Sequence, residues 1–184
     1  MKIMIIGAGK LGYRLAETMM NEQIDIALVD TNQKTVERVQ DHLDVLAVLG
    51  NGLDMETLRD LNIETYDMLI AVTGVDEANT IICSIAKKLG VRQTVARIRN
   101  PEYILQKEYL TTDMGIDHIV NPDLATAHEM LRFLMKGYHF HTGDFAKGKV
   151  TMMDIKISQL PDLIGKKIMD IENFEGLLIT AVKR

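Results

Sequence analysis

The sequence contains one cysteine, no apolar run of membrane-spanning length and no surplus of positive charge. The single cysteine, Cys83, excludes an internal disulfide, and a reducing cytoplasm is then the expected compartment. No apolar run approaches the roughly 20 residues that span a bilayer, so we expect no direct membrane insertion. The net charge is −5 and the lysine pairs are isolated, which argues against a nucleic-acid partner because phosphate contacts need a concentrated basic face.

A glycine-rich turn directly follows the first apolar run. The run 3–6 leads into glycines at positions 7, 9 and 12, with G-x-G-x-x-G spacing, and a helical pattern follows. Gly7 permits the sharp turn, Gly9 lets the backbone approach a pyrophosphate, and Gly12 permits close packing of helix on strand. The helix N-terminus offers N–H groups and a partial positive charge to phosphates. We therefore predict a phosphate site at residues Gly7, Ala8, Gly9, Lys10, Leu11 and Gly12.

A second apolar run, 24–29, ends at Asp30. This is the position at which a carboxylate can accept both ribose hydroxyls of an adenosine. A carboxylate also repels a 2′-phosphate, and Thr31 and Asn32 bring no arginine, so NADP is disfavoured. The order of strand, glycines, helix, strand and acid favours a dinucleotide site over a glycine-rich turn without a ligand.

Apolar runs and helical spacings alternate along the rest of the chain. Further strands are predicted at 44–50, 67–72, 94–98 and 117–120. Helices are predicted at 31–43 and 54–61, from the end of the 73–79 segment to Gly90, from Pro101 to Gly115, and at 123–136. Six alternations favour a doubly wound, parallel, six-stranded sheet, because βαβ crossovers are right-handed. We predict an α/β Rossmann domain over residues 1–136.

The last part of the chain follows a different pattern. The helix at 123–136 is apolar on more than one face, so we expect a partner subunit against the second face, with a deeply covered core helix as the alternative. Residues 137–148 are predicted to be a linker. Residues 149–184 are predicted to form a β-α-β segment, with strands at 150–157 and 177–182 around a turn and helix at 163–171, and about 35 residues are too few to bury an adequate core alone.

These motifs resemble the regulatory subunits of Trk and Ktr potassium-uptake systems, the TrkA/KtrA type built on the RCK (KTN) nucleotide-binding domain. Besides the glycines, the similar stretches lie in order between residues 3 and 122: Asp30-Thr31-Asn32, Gly50-Asn51-Gly52, 68–73, Asp76-Glu77 with Asn79, 96–103 and 116–122. A generic dehydrogenase would not carry the Thr-x-x-Asp-Glu-x-Asn and Ala-Arg-x-Arg-x-Pro-x-Tyr blocks. Residues 149–184 resemble the start of the family's C-terminal domain, so we expect either a shortened sequence or an incomplete domain.

The resemblance implies a set of ligand contacts beyond the glycines. Residues Gly50, Asn51 and Gly52 would lie near the adenine, Asp30 and Thr31 at the ribose, and Thr73, Gly74 and Glu77 at the distal half of the ligand. Arg97 would bind distal phosphates or a nicotinamide ribose, although an ordinary surface ion pair is the alternative. Arg99 is a weaker candidate.

The resemblance also implies a function. The chain would bind NAD(H) or ATP/ADP, form homodimers that assemble into a ring, an octamer being one form, and gate a membrane K⁺-transporting subunit of the Trk/Ktr type. It would be cytoplasmic and peripheral at the inner face of the membrane, with no catalytic residues and no metal.

The competing interpretation is an NAD-dependent oxidoreductase. Tyr103 and Lys107 have the Y-x-x-x-K spacing of short-chain dehydrogenases, but the accompanying glycine pattern there differs, and coincidence is the better account. Asp123 is interpreted as a helix-cap acid rather than a metal ligand. His139 and His141 alternate in an extended segment and would point to opposite faces, which disfavours a metal site.

Overall fold

The computed structural model describes residues 1–22, 24–135, 140–145, 150–154, 156–168 and 178–182. Contacts divide the chain into two units, Met1–Ala127 and His128–Arg184. None of the helices within these described ranges is both long enough and apolar enough to cross a membrane.

Among the described residues of the first unit, six strands alternate with seven α-helices. The last helix begins in the first unit and ends in the second. The strands are β1 Lys2–Ile6, β2 Asp25–Asp30, β3 Leu46–Leu49, β4 Met68–Ala71, β5 Gln93–Arg97 and β6 His118–Val120. The helices are α1 Lys10–Met19, α2 Gln33–His42, α3 Met55–Asp60, α4 Asp76–Lys88, α5 Pro101–Leu105, α6 Lys107–Thr112 and α7 Pro122–Met135. All six strands are parallel, in the order β3-β2-β1-β4-β5-β6, so the predicted doubly wound Rossmann sheet is confirmed.

Strand β1 lies at the centre of the sheet and is apolar on both faces. Ile3 pairs with Ile26 of β2 and Met68 of β4, which places β1 between them. Alternate side chains of a strand point to opposite faces. Met4 and Ile6 accordingly join one buried cluster while Ile3 and Ile5 join another, and helices cover both. This double burial explains the continuous apolar runs in the sequence.

Side-chain caps start several of the helices. The side chains of Asn32, Asp54 and Asn100 accept hydrogen bonds from the first turns of α2, α3 and α5. The segment predicted as one helix from Pro101 to Gly115 is two short helices, because the chain leaves helical geometry at Gln106.

The second unit corrects two predictions. Part of the predicted linker, Phe140–Phe145, is a strand, β7, which pairs antiparallel with β8, Val150–Asp154. The linker prediction was wrong there because histidine, glycine and lysine outweighed the strand-favouring aromatic and β-branched residues in our interpretation. The remainder of that linker, 137–139 and 146–148, lies outside the described residues.

The segment 163–171 is predicted as a turn followed by a helix, and the structure has a turn at its start. Pro161–Leu163 form a 3₁₀ turn, and Gly165 has a φ of +82°, a conformation that a helix cannot contain. Residues 178–182, predicted as a strand, have no regular structure. Besides the end of α7, the described part of this unit is therefore a β-hairpin followed by turns. Residues 169–177, which include the rest of the predicted helix, lie outside the description.

Candidate nucleotide site

The glycine-rich turn after β1 has the geometry that its sequence predicts. Gly7 has a φ of +104°, and its N–H donates to the carbonyl of Val29 at 2.8 Å. A Cβ at Gly7 would lie 2.9 Å from the backbone nitrogen of Thr73, so this turn also passes close to the end of β4. Only glycine satisfies both the positive φ and the close approach.

The other two glycines of the motif differ in what surrounds them. A Cβ at Gly12 would lie 1.8 Å from the Gly7 carbonyl oxygen, so α1 packs directly on the turn, as predicted. A Cβ at Gly9 would meet nothing within 4 Å. Packing within this chain therefore explains glycine at position 12 but not at position 9, where the missing side chain leaves open space beside the backbone.

The N-terminus of α1 faces the same open space. Gly9 is its N-cap residue and provides no side-chain acceptor, and the first turn, which includes Lys10 and Leu11, contains no acidic residue. The first four N–H groups of a helix lack partners within it and carry a partial positive charge. This end of α1 is thus suited to an anionic ligand.

Asp30, at the end of β2, holds the turn from the side. Its Oδ2 accepts a hydrogen bond from the N–H of Ala8 at 2.6 Å, and its Oδ1 accepts one from the N–H of Asn32 at 2.8 Å. Its carbonyl accepts from the N–H of Gly50 at 3.0 Å. One residue therefore joins the glycine turn, the start of α2 and the end of β3, while Thr31 is exposed beside it.

The residues expected near the adenine are partly occupied with local structure. Asn51 is exposed, and its Oδ1 accepts from the N–H of Leu53 at 3.0 Å. Gly52 is buried, and a Cβ there would lie 2.4 Å from Cγ2 of Ile6. Packing against β1 thus accounts for Gly52. Gly50 is also closely packed, since a Cβ there would lie 2.8 Å from Cγ2 of Thr57, and Gly50 and Asn51 follow β3 at the carboxyl edge of the sheet.

Asn79 on α4 ties together the ends of β4 and β5. Its side chain is fully buried; Oδ1 accepts from the N–H and hydroxyl of Thr73, and Nδ2 donates to the carbonyls of Thr73 and Arg97. Asn79 belongs to the Thr-x-x-Asp-Glu-x-Asn stretch of the sequence, but the motif alone does not indicate its role. It is a positioning residue for the distal end of the crevice, since it fixes both Thr73 and the backbone of Arg97.

Arg97 is the last residue of β5, and one nitrogen of its side chain, Nε, is buried without a hydrogen-bond partner among the described residues. Burial without a partner is costly for a cationic group. Gly74, on the neighbouring loop, is exposed, and a Cβ there would meet nothing within 4 Å. The distal end of the crevice thus contains a cation and a second unfilled glycine position.

Glu77 and Tyr103 form a pair at the same edge. The Tyr103 hydroxyl donates to Oε1 of Glu77 at 2.6 Å. This hydrogen bond lowers the pKa of Glu77 and raises the pKa of Tyr103 above its usual value. A dehydrogenase tyrosine needs a lowered pKa for proton transfer, so the contact opposes a catalytic role for Tyr103 with Lys107.

Arg99 is engaged with its own surroundings. Its Nη2 donates to the carbonyl of Gly74 at 2.9 Å, and its Nε lies 3.8 Å from Oδ1 of the buried Asp76. Oδ2 of Asp76 accepts from the N–H groups of Arg99 and Asn100, both at 2.8 Å. Arg99 therefore fastens the loop after β4 rather than pointing its donors at a ligand.

The motifs did not reveal Arg38 on α2. Its Nη2 donates to the carbonyl of Ala8 at 3.2 Å, and its guanidinium carbon lies 5.0 Å from the centre of the Tyr13 ring. Two elements distant in sequence, α1 and α2, place these groups together, so no local spacing signals the contact.

Outside this crevice, a metal site would need clustered ligand side chains and a reactive thiol would need an accessible cysteine. No group of three or more His, Cys, Asp or Glu that could bind a metal ion occurs in the part of the chain that the structure describes. Cys83 is buried, which raises its pKa to about 12. A depression of about 550 Å³, lined by Met1, Asp67, Arg92 and Gln93, lies at the opposite, amino-terminal edge of the sheet.

The glycine turn, Asp30 and the loop after β4 lie at the carboxyl edge of the sheet, where the strand order changes direction between β1 and β4. Ligands of open α/β sheets bind at such a point. The strand order, the glycine turn and the acid after β2 define a Rossmann-type domain. Residues 3–122 match the TrkA-N domain family, and the chain belongs to that family.

Relatives and solved structures agree with this assignment. Over its full length the chain is 36% identical to Trk system potassium uptake protein trkA homolog 1 of Methanosarcina mazei, of which it covers 46%. The chain thus spans about half the length of that relative. The TrkA-N domain of inner membrane protein ybaL from Escherichia coli superposes with a TM-score of 0.65 at 22% identity, covering 72% of this chain and 96% of that domain.

The GsuK channel provides two further structures with the same fold. GsuK bound to ADP superposes with a TM-score of 0.60 at 24% identity, over 74% of this chain and 34% of GsuK. The GsuK channel bound to NAD superposes with a TM-score of 0.57 at 19% identity, over 65% of this chain and 21% of GsuK.

Proposed function

We propose that this chain binds NAD(H) or ATP/ADP at the carboxyl edge of its sheet and acts as a regulatory subunit of a membrane K⁺-uptake system. The observation that carries the proposal is the open space at Gly9, directly before the uncapped N-terminus of α1. The fold does not require glycine there, whereas the close approach of a diphosphate does.

The ligand is proposed to extend from Asp30 across the glycine turn to Arg97. Asp30 provides acceptors for the ribose hydroxyls, α1 provides donors for the phosphates, and the half-buried Arg97 provides a cation for the distal half. The names of the full-length relatives, which refer to potassium uptake, and the ADP and NAD complexes of GsuK support this choice of ligands and of partner.

The proposed mechanism is a shift between shapes of an oligomer. Homodimers assemble into a ring, such as an octamer, at the cytoplasmic face of the membrane, and the bound nucleotide sets the angle between subunits and so gates the transporter. A nucleotide can shift that equilibrium only if it contacts the two shapes differently. The exposed apolar side chains of α7, which include Phe133 and Leu134, are the proposed subunit contact.

An NAD-dependent oxidoreductase is the alternative that the experiment must separate. The full chain is titrated by calorimetry with NAD, NADH, ATP and ADP, its size is measured with and without each nucleotide, and NADH oxidation is screened with carbonyl substrates. Binding that changes size without turnover supports the proposal. Turnover, or failure to retain any adenine nucleotide, contradicts it.

Co-purification tests the partner separately. The full-length protein is expected in the membrane fraction when the K⁺-transporting subunit is present and to be lost from that fraction when the subunit is deleted. An unchanged distribution would contradict the proposed partnership while leaving nucleotide binding untouched.

A further inference from the structure

We infer that Arg38 is a further ligand contact, at the ribose of the adenosine half. The inference rests on the proposed nucleotide site and adds a cation to it that the glycine motif, Asp30 and Arg97 do not provide. The ligand class is any nucleotide that carries an adenosine 5′-phosphate, whatever lies beyond the first phosphate.

Ala8 is the residue that fixes Arg38 in place. Arg38 Nη2 donates to the Ala8 carbonyl at 3.2 Å, while Asp30 Oδ2 accepts from the Ala8 N–H at 2.6 Å. The cation and the carboxylate therefore both bind the backbone of Ala8, yet no ion pair within 4 Å joins them among the described residues. Both groups thus border the ribose end of the crevice without neutralising each other.

The guanidinium of Arg38 is fixed by two contacts, but most of its hydrogen-bond donors have no partner among the described residues. It lies against the Tyr13 ring, with 5.0 Å from its carbon to the ring centre, and such contacts orient a guanidinium over the aromatic face. The hydrogen bond to Ala8 uses one of its five N–H donors. No other hydrogen bond to a described residue involves the Arg38 side chain, and its backbone carbonyl lies 2.8 Å from Nδ1 of His42. The opposite face and the other donors of the guanidinium are therefore available to a ligand.

The two charged groups complement ribose chemistry. An ionised carboxylate only accepts hydrogen bonds and a guanidinium only donates them, whereas each ribose hydroxyl does both. A hydroxyl that donates to Asp30 can accept from Arg38 at the same time. Because this contact involves only the adenosine half, its loss should affect all adenine nucleotides by one common factor.

The main experiment measures affinity by calorimetry with AMP, ADP and NADH. Arg38→Ala is expected to weaken all three by a similar factor of about 5 to 20, as for loss of a charge-assisted hydrogen bond. Arg38→Gln, which retains a donor for the Ala8 carbonyl but not the charge, should also weaken binding of all three nucleotides. Arg14→Ala is the matched control, because Arg14 is an exposed residue of α1 whose guanidinium forms an ion pair with Glu17.

A second arm uses the 2′-phosphate as a probe. Asp30→Asn removes the repulsive charge but keeps an acceptor for the Ala8 N–H, so NADPH affinity should rise relative to NADH. Adding Arg38→Ala to that variant should abolish the rise. If the rise does not occur or persists without Arg38, the guanidinium does not face the ribose and the inference is overturned.

The outcomes separate this inference from the proposed function. If the unmutated chain binds no adenine nucleotide, the proposed function fails. If it binds them and Arg38→Ala changes AMP affinity by less than twofold, or weakens only NADH, the inference alone fails. Thermal unfolding without nucleotide shows whether each variant remains folded, and Arg38→Gln provides the test if Arg38→Ala does not.

Discussion

Oδ2 of Asp30 lies 2.6 Å from the backbone nitrogen of Ala8, so the acid that ends β2 directly holds the glycine turn that follows β1. The proposed ribose acceptor and the proposed phosphate-binding loop are therefore one connected unit. A change in the carboxylate should affect ligand binding both by losing ribose contacts and by releasing the turn.

Asp30→Ala is expected to reduce affinity for ADP by about 10- to 100-fold, since an ionic hydrogen-bond acceptor is worth about 1.5 to 3 kcal/mol. It should also abolish discrimination between ADP and 2′-deoxy-ADP, which the unmutated chain should show. Calorimetric titration measures both. Retained discrimination against the deoxynucleotide in the variant would refute the assignment of Asp30 to the ribose.

Gly9→Ala and Gly12→Ala should separate binding from folding. A Cβ at position 12 would lie 1.8 Å from the Gly7 carbonyl oxygen, so Gly12→Ala should destabilise the fold by about 3 kcal/mol. A Cβ at position 9 meets nothing within 4 Å, so Gly9→Ala should change stability by less than about 0.5 kcal/mol.

Gly9→Ala should nevertheless weaken ADP and NADH binding, because the methyl group occupies the space proposed for the pyrophosphate. Urea unfolding measures the stability of both variants, and calorimetry measures binding. A stable Gly9→Ala variant with unmutated affinity would place the phosphates elsewhere.

Arg97→Ala is expected to reduce the difference in affinity between ATP and ADP, and between NADH and NAD, while AMP binding changes little. The reason is that the guanidinium of half-buried Arg97, whose Nε is buried without a partner among the described residues, can respond to charge in the distal half of the ligand. Arg92→Ala, at the opposite edge of the sheet, is the control. The role fails if Arg97→Ala preserves the ATP-to-ADP affinity ratio.

Asp117 is expected to contribute to acid sensitivity of the fold. Burial opposes ionisation, but hydrogen bonds from the Lys87 ammonium and from the Thr94 N–H, both at 2.8 Å, outweigh it and lower the pKa of Asp117. A lowered folded-state pKa means that the stabilisation is present above the unfolded value of about 3.9 and is lost as pH falls through the folded value.

Asp117→Asn should therefore be less stable at pH 7, by about 1 kcal/mol for a partly exposed group, and should lose less stability between pH 5 and about 2 than the unmutated chain. Urea unfolding across that range measures both effects. Asp60→Asn, an exposed acid at the end of α3, is the matched control. Parallel pH profiles for the unmutated and Asp117→Asn chains would contradict the assignment.

Phe133→Glu is expected to reduce self-association if α7 is the subunit contact. Phe133 is 73% exposed and Leu134 69% exposed in this chain, so a charge there costs the isolated chain little but would be buried at an interface. Light scattering measures the mass. Glu129→Gln on the same helix, which also changes charge, is the comparison, and an unchanged mass for Phe133→Glu would exclude this helix as the contact.

Local patterns were sufficient for the sheet. Continuous apolar runs, the three spaced glycines and the alternating helical spacings predicted the strands of the first unit and their parallel arrangement, because strand periodicity, turns and helical spacing depend on residues close in sequence. The same reasoning failed in the second unit, where the composition of 140–145 favoured a linker but pairing with β8 makes a strand.

The sequence by itself determined that a Rossmann sheet would form and that Gly7, Gly12 and Asp30 would meet at its carboxyl edge, since their positions relative to the strand ends follow from spacing alone. Only the tertiary structure decided that Gly9 leaves open space, that Asn79 joins Thr73 to Arg97, and that Arg38 reaches Ala8. These relationships depend on how separate helices pack against the sheet, and packing between distant segments leaves no periodic trace in the chain.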